Sequence, residues 1–144
     1  MEAQNYANHR QMVPMFHYVL FGIVVATLIG SCVNLYQSIG DHQRLYSAAL
    51  IVAIMIAMVL VMFFARLFAL KAQDRAIRAE ENLRCFALTG KLLDARLTIR
   101  QVVGLRFASD EEFVALAERA ADENLSEDDI KKAIKNWRAD NYRV

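Results

Sequence analysis

The residues of this chain whose types could do chemistry are three histidines, two cysteines, two runs of acids, a basic cluster and a few polar side chains inside an apolar run. His9, His17 and His42 share no ligand spacing, so no metal site is expected from them. Cys32 lies among apolar residues and Cys85 among charged ones, which reads as two packing residues and no disulfide. Asp110-Glu111-Glu112 and Asp128-Asp129 stand where first helical turns are expected, and acids there complement the helix dipole. No glycine-rich phosphate loop and no Ser/His/Asp or Cys/His set accompanies them, so neither an enzyme nor a cofactor is expected. Lys71, Arg75 and Arg78 suit anionic lipid headgroups, each contributing about 1 kcal/mol near a charged surface, with acids of the C-terminal module or of a partner chain as the other use of them. Thr27, Ser31 and Asn34 line one side of the first apolar run. There they can bond a neighbouring helix or, in a ring of subunits, line a pore.

The elements that must position these residues begin with Leu45 to Leu70, an apolar run without a charge until Arg66. A hydrocarbon layer about 30 Å thick needs roughly 20 apolar helical residues, and this run supplies them. Met15 to Tyr36 is a second such run, entered through Pro14, which a first helical turn tolerates. Ile29-Gly30-Ser31-Cys32 resembles a lipoprotein cleavage box. The single basic residue ahead of the run, Arg10, and the continuation of apolar residues past the cysteine favour a span over a cleaved signal.

The expected fold is therefore an all-α membrane protein. Residues 1–13 form a polar N-terminal segment, and 14–70 an antiparallel two-helix transmembrane hairpin with spans at about 15–36 and 45–66. Small residues recur at every fourth position, Gly22, Ala26 and Gly30 in one span and Ala49, Ala53 and Ala57 in the other. Paired in antiparallel register, they predict the contact between the spans, with a contact between subunits as the other use of such a stripe. Tyr18, Tyr36 and Tyr46 fit interfacial belts, and Arg66 can reach headgroups. Lys71, Arg75 and Arg78 beyond the second span put both termini in the cytoplasm.

Charge is segregated along the 144 residues, 23% of which are charged although mean hydropathy is +0.22. From Arg66 to Arg106 there are nine Lys/Arg against four Asp/Glu, and from Phe107 to Val144 six against ten. The acidic end makes nucleic acid a poor partner. The second span is expected to continue without a breaker into a basic juxtamembrane segment, 71–96, whose helix ends near Thr89-Gly90. Ala76, Ala79, Leu83 and Phe86 form its apolar stripe, and Asp74 with Arg78 and Glu80 with Arg84 its i,i+4 pairs.

Residues 97–144 carry three helix starts of one design: Thr98 with Gln101, Ser109 with Glu112, and Ser126 with Asp129, each between apolar residues that can staple the turn. They predict a small three-helix module with Val102, Phe113, Leu116, Ile130, Ile134 and Trp137 in its core, Trp137 on the last helix. So small a core is expected to lean on the preceding helix or on another chain.

QNYANH at Gln4 to His9, ALKAQDRAIRAEENLR at Ala69 to Arg84, LRFASDEE at Leu105 to Glu112 and IKKAIKNWRADNYRV at Ile130 to Val144 together resemble a family of short, two-span bacterial membrane proteins of unknown function. The resemblance covers nearly the whole chain, departs from the family's frequent proline at Ala139, and implies a bacterial inner-membrane setting without an activity or ligand. The functional expectation is a non-enzymatic membrane protein that self-associates or serves as an accessory or scaffold subunit. Its alternative is a homo-oligomeric channel or transporter with a pore lined by the first span.

Overall fold

A computed structural model describes residues 4–9 and 12–140. These residues form five α-helices: α1 (Phe21–Gln37), α2 (His42–Thr89), α3 (Ile99–Leu105), α4 (Asp110–Asp122) and α5 (Glu127–Ala133). A π-helical turn, Met15–Leu20, leads into α1 from Pro14. The described residues contain no strand beyond one isolated bridge between Ala108 and Trp137. Met15–Gln37 and α2 are both long and apolar enough to cross a membrane. Two compact units are present: Met12–Ala69, and a unit that joins Met1–Gln11 to Leu70–Val144. Residues 4–9 of the polar N-terminal segment thus belong to the second unit, and residues 12 and 13 to the first.

In the first unit, Ser38 ends α1 by donating its hydroxyl to the Asn34 carbonyl at 2.8 Å. Asp41 begins α2, its carboxylate accepting from the Gln43 and Arg44 N–H groups at 3.1 and 3.2 Å. The Arg66 guanidinium lies 5.9 Å from the centre of the Phe16 ring, which joins the start of the first apolar helix to the end of the apolar stretch of α2. The covered face of α1 is Val24, Leu28, Ser31, Leu35 and Ser38, and that of α2 is Leu45, Ala48, Val52, Met55, Val59 and Met62. Both follow alternating three- and four-residue steps, the spacing of helices that pack along a shallow angle.

This corrects the expected contact. Gly22, Ala26, Gly30, Ala49, Ala53 and Ala57 are all exposed, and a Cβ built at Gly22 or Gly30 meets nothing within 4 Å. The register differs as well, since Phe16 lies by Arg66, whereas the small-residue pairing would set it opposite Phe63. Both candidate spans are apolar on every side, so small residues mark where close approach is allowed without requiring it.

In the second unit, Thr98 makes the full capping box with Gln101: its hydroxyl accepts from the Gln101 N–H, and the Gln101 amide oxygen accepts from the Thr98 N–H at 2.8 Å. Ser126 accepts from the Asp129 N–H at 3.1 Å, while the Asp129 carboxylate accepts from the Ser126 hydroxyl at 2.6 Å and not from the Ser126 N–H. Ser109 has no side-chain cap bond. Its expected partner Glu112 instead accepts from the Lys135 and Asn136 N–H groups at 3.1 and 3.0 Å. Those bonds hold the chain extended after Ala133, and Arg138 N–H donates to the Phe107 carbonyl at 2.7 Å. Trp137 therefore lies on an extended tail beside α4, not on the last helix.

The core unites Leu97, Val102, Leu105, Phe107, Ala108, Phe113, Leu116, Ala117, Ala120, Ile130 and Ile134 with Ile77 and Cys85 of α2, and Trp137 packs partly buried against it. Gly104 lets α3 approach α5: a Cβ there would stand 3.2 Å from the Glu127 carbonyl oxygen and 3.3 Å from Ile130 Cγ2. Gly90 ends α2 at φ +74°, its N–H donating to the Phe86 carbonyl at 2.8 Å.

Candidate functional site

The chemistry-bearing side chains of the second unit gather in two places. One is built around Arg84, which α2 aims at the start of α4. Its guanidinium donates to Asp110 at 2.7 Å, to Glu81 at 3.0 Å and to the Ala108 carbonyl at 2.7 Å, and stacks 4.3 Å from the Phe113 ring centre. Arg84 and Glu81 are both nearly buried. Burial pushes the Glu81 carboxyl above the usual range, opposed by the hydrogen bond and charge of Arg84 and the charge of Arg138, whose Nη1 is 3.9 Å away. The expected Glu80–Arg84 pair is replaced by this i,i+3 contact with Glu81, because Glu81 lies on the face of α2 that meets the core and Glu80 does not. Arg78 donates to the Leu97 carbonyl at 3.3 Å. These are bonds that dock α2 onto the module.

The other gathering is made by the N-terminal arm, residues 4–9. Asn5 folds the arm into an Asx turn, its side-chain oxygen accepting from the Ala7 N–H at 2.8 Å, and the Asn8 side-chain oxygen accepts from the Asn5 N–H at 2.6 Å. Gln4 accepts from the Asp140 N–H at 2.8 Å, and the Tyr6 hydroxyl donates to Asp128 at 2.6 Å. Lys132 pairs with Asp128 at 2.6 Å and lies 5.7 Å over the Tyr6 ring. Its hydrogen bond, followed by that of Tyr6, holds Asp128 below the usual carboxylate range, and the same bond to Asp128 raises Tyr6. The His9 ring stacks on Tyr6, meets Phe107 edge-on and Trp137 at a tilt, each with centres 5.8 Å apart, and its Nδ1 is 2.7 Å from the Tyr6 carbonyl.

Between the arm and α3 and α5 opens a cleft of about 700 Å³ lined by Tyr6, Ala7, His9, Val103, Arg106, Glu127, Asp128 and Lys131. Its charged groups are engaged with one another and with their neighbours: Lys131 with Glu127 at 2.6 Å, Arg100 with Glu127 at 3.3 Å, and Arg106 with Asp140 at 3.3 Å. The chemistry this allows is the clamping of chain segments by mixed charge. Among the described residues no group of three His, Cys, Asp or Glu converges as a metal site would.

The remaining side chains singled out from sequence are dispersed. Thr27 donates to the Ile23 carbonyl at 2.8 Å and Ser31 to the Leu28 carbonyl at 2.7 Å, so both hydroxyls are used within α1. Ser31 lies in the covered face, Thr27 and Asn34 outside it. Lys71 and Arg75 are exposed. His17 closes the first helical turn, its Nδ1 3.1 Å from the Val13 nitrogen, and His42 begins α2. The roles of Gln4, Tyr6, His9, Glu112 and Arg84 escaped sequence reasoning, and the only signal for them was that their stretches carried the family resemblance.

No curated protein and no solved structure matches the chain significantly. A family model matches residues 1–144, and the protein belongs to that family, the Family of unknown function (DUF6526).

Proposed function

We propose that this chain is a non-enzymatic integral membrane protein of two spans, self-associating or serving as an accessory subunit, that presents its helical module as a docking element in the cytoplasm. The observation that carries this reading is the arm. Residues 4–9 precede the first apolar helix and the module follows the second, yet Gln4, Tyr6 and His9 bond and stack on residues of the module. Two crossings return the chain to the side it left, which agrees with this contact. Lys71, Arg75 and Arg78 argue that the side is cytoplasmic, and Lys71, exposed next to the apolar run, that anionic headgroups are among its contacts. The family resemblance favours a bacterial inner membrane. A docking role is supported by clusters that clamp parts of one chain together and leave the large apolar faces of α1 and α2 to others.

The test is the mass and composition of the complex extracted from native membranes in mild detergent, with topology reporters fused to each terminus. A discrete oligomer or a stoichiometric foreign subunit, with both reporters cytoplasmic, is the expected result. A monodisperse single chain, or termini on opposite sides, overturns the reading.

A further inference from the structure

The second half of α2 has two faces. Ile77, Glu81 and Cys85 turn into the module's core. At 100° per residue the opposite face carries Ala72, Ala76, Ala79, Leu83 and Phe86, all exposed, with Leu83 at 69% and Phe86 at 53%. From Ala76 onward this is the stripe the sequence marks as apolar, and the module does not cover it. Its steps of four, three, four and three residues are those of a coiled-coil seam, with Ala76 and Leu83 at a positions and Ala72, Ala79 and Phe86 at d positions.

We propose that this stripe pairs with the same stripe of a second copy, in parallel. The proposal deepens the self-associating form of the function above and rests on it. Charge along the two edges favours this occupant. With Ala76 at a, Arg75 falls at g and Glu80 at the following e, and in a parallel pair each g residue faces the partner's next e residue. Arg75 of each copy then meets the acid at position 80 of the other, twice by symmetry. Both side chains are exposed, and neither has an ion-pair partner among the described residues. An anionic lipid surface is a poorer fit, because one edge of the stripe then holds an acid against it. Copies inserted alike in one membrane present α2 in the same direction, so parallel pairing is the arrangement available. Confinement to a membrane raises their effective concentration and lets so short a seam suffice. Alanines at Ala72, Ala76 and Ala79 permit close backbones, and Leu83 and Phe86 supply the larger buried surface.

The experiment uses the full chain in native membranes with Cys32→Ala, leaving the buried Cys85 in place. Ala79→Cys at the seam is compared with Leu88→Cys on the other side of the helix, under mild oxidation. Ala79→Cys should form the homodisulfide and Leu88→Cys should not. Arg75→Glu should lower the yield about fivefold, as loss and reversal of two exposed pairs implies, and Arg75→Glu with Glu80→Arg should restore it. If the extracted protein is oligomeric yet Ala79→Cys cross-links no better than Leu88→Cys, this interface is overturned while self-association through another surface stands. A monomeric extract removes both. Protection of Ala79→Cys from a water-soluble maleimide that depends on anionic lipid in nanodiscs and not on protein density assigns the face to headgroups, and likewise overturns the pairing.

Discussion

Replacing Arg84 with alanine should loosen the second unit more than any other single charge removal. The change deletes the bonds to Asp110, Glu81 and the Ala108 carbonyl and the stack on Phe113. It leaves the nearly buried Glu81 with Arg138 at 3.9 Å as its nearest cation. Removing one partner of a buried ion pair costs about 3–5 kcal/mol, because the remaining charge keeps its desolvation penalty. At roughly 4–8 °C per kcal/mol for a domain of this size, the melting temperature should fall by at least about 12 °C. The readout is built in: the single tryptophan, Trp137, packs on Phe107 and His9, so its fluorescence in detergent reports on this unit.

The pH dependence carries the sign. Glu81 is raised above the ordinary carboxylate value, so its contribution to stability is full below that value and is lost as pH rises through the folded one. Without Arg84 the ionised form is worse off still, so the gap between Arg84→Ala and wild type should be widest at neutral pH and narrow on acidification. Glu81→Gln removes the titration and should stay within about 1 kcal/mol of wild type at pH 7. A melting temperature for Arg84→Ala within about 3 °C of wild type, or a gap that does not change with pH, would refute this account of the cluster.

Other outcomes follow from particular contacts. Gly104→Ala should gain about 1 kcal/mol of helix propensity but lose about 1–3 to its contacts with Glu127 and Ile130, a net change from about zero to a loss of about 2 kcal/mol, read by the same fluorescence melt. Ala48→Leu, at a nearly closed position of α2, should destabilise the first unit by about 1–3 kcal/mol. Ala26→Leu and Ala53→Leu, on exposed faces, should leave its thermal stability in detergent nearly unchanged. Tyr6→Phe should release the arm from Asp128, seen as faster amide hydrogen exchange over residues 4–9 with α4 unaffected. Asn34→Leu tests the channel alternative: it should abolish any conductance of reconstituted protein if the first span lines a pore, and leave assembly intact if it does not.

The sequence alone determined the kinds of elements. A run of some 20 apolar residues has few soluble uses, so Met15–Gln37 and α2 were legible as candidate spans. Hydroxyl caps act within one turn, so the starts of α3, α4 and α5 were legible too, and the amphipathic pattern placed Val102, Phe113, Leu116, Ile130 and Ile134, all found in the core. What only the tertiary structure decided was which face meets what. The apolar helices offer no polar side to break the tie, so the covered face of Val24, Leu28, Ser31 and Leu35 could not be told from the small-residue stripe beside it. In the second half of α2 the apolar-looking stripe is open, and the face bearing Glu81 is closed, because Arg84 and Arg138 compensate the acid there. Glu112 left its cap for the backbone at 135 and 136, and in doing so drew Trp137 off the helix. The most distant contacts belong to the arm: Tyr6 meets Asp128 across 122 residues and Gln4 meets Asp140 across 136. Local patterns fix what a turn or a helix can do within a few residues. A polar arm has no periodicity to announce its partner, and only the folded chain brings the two together.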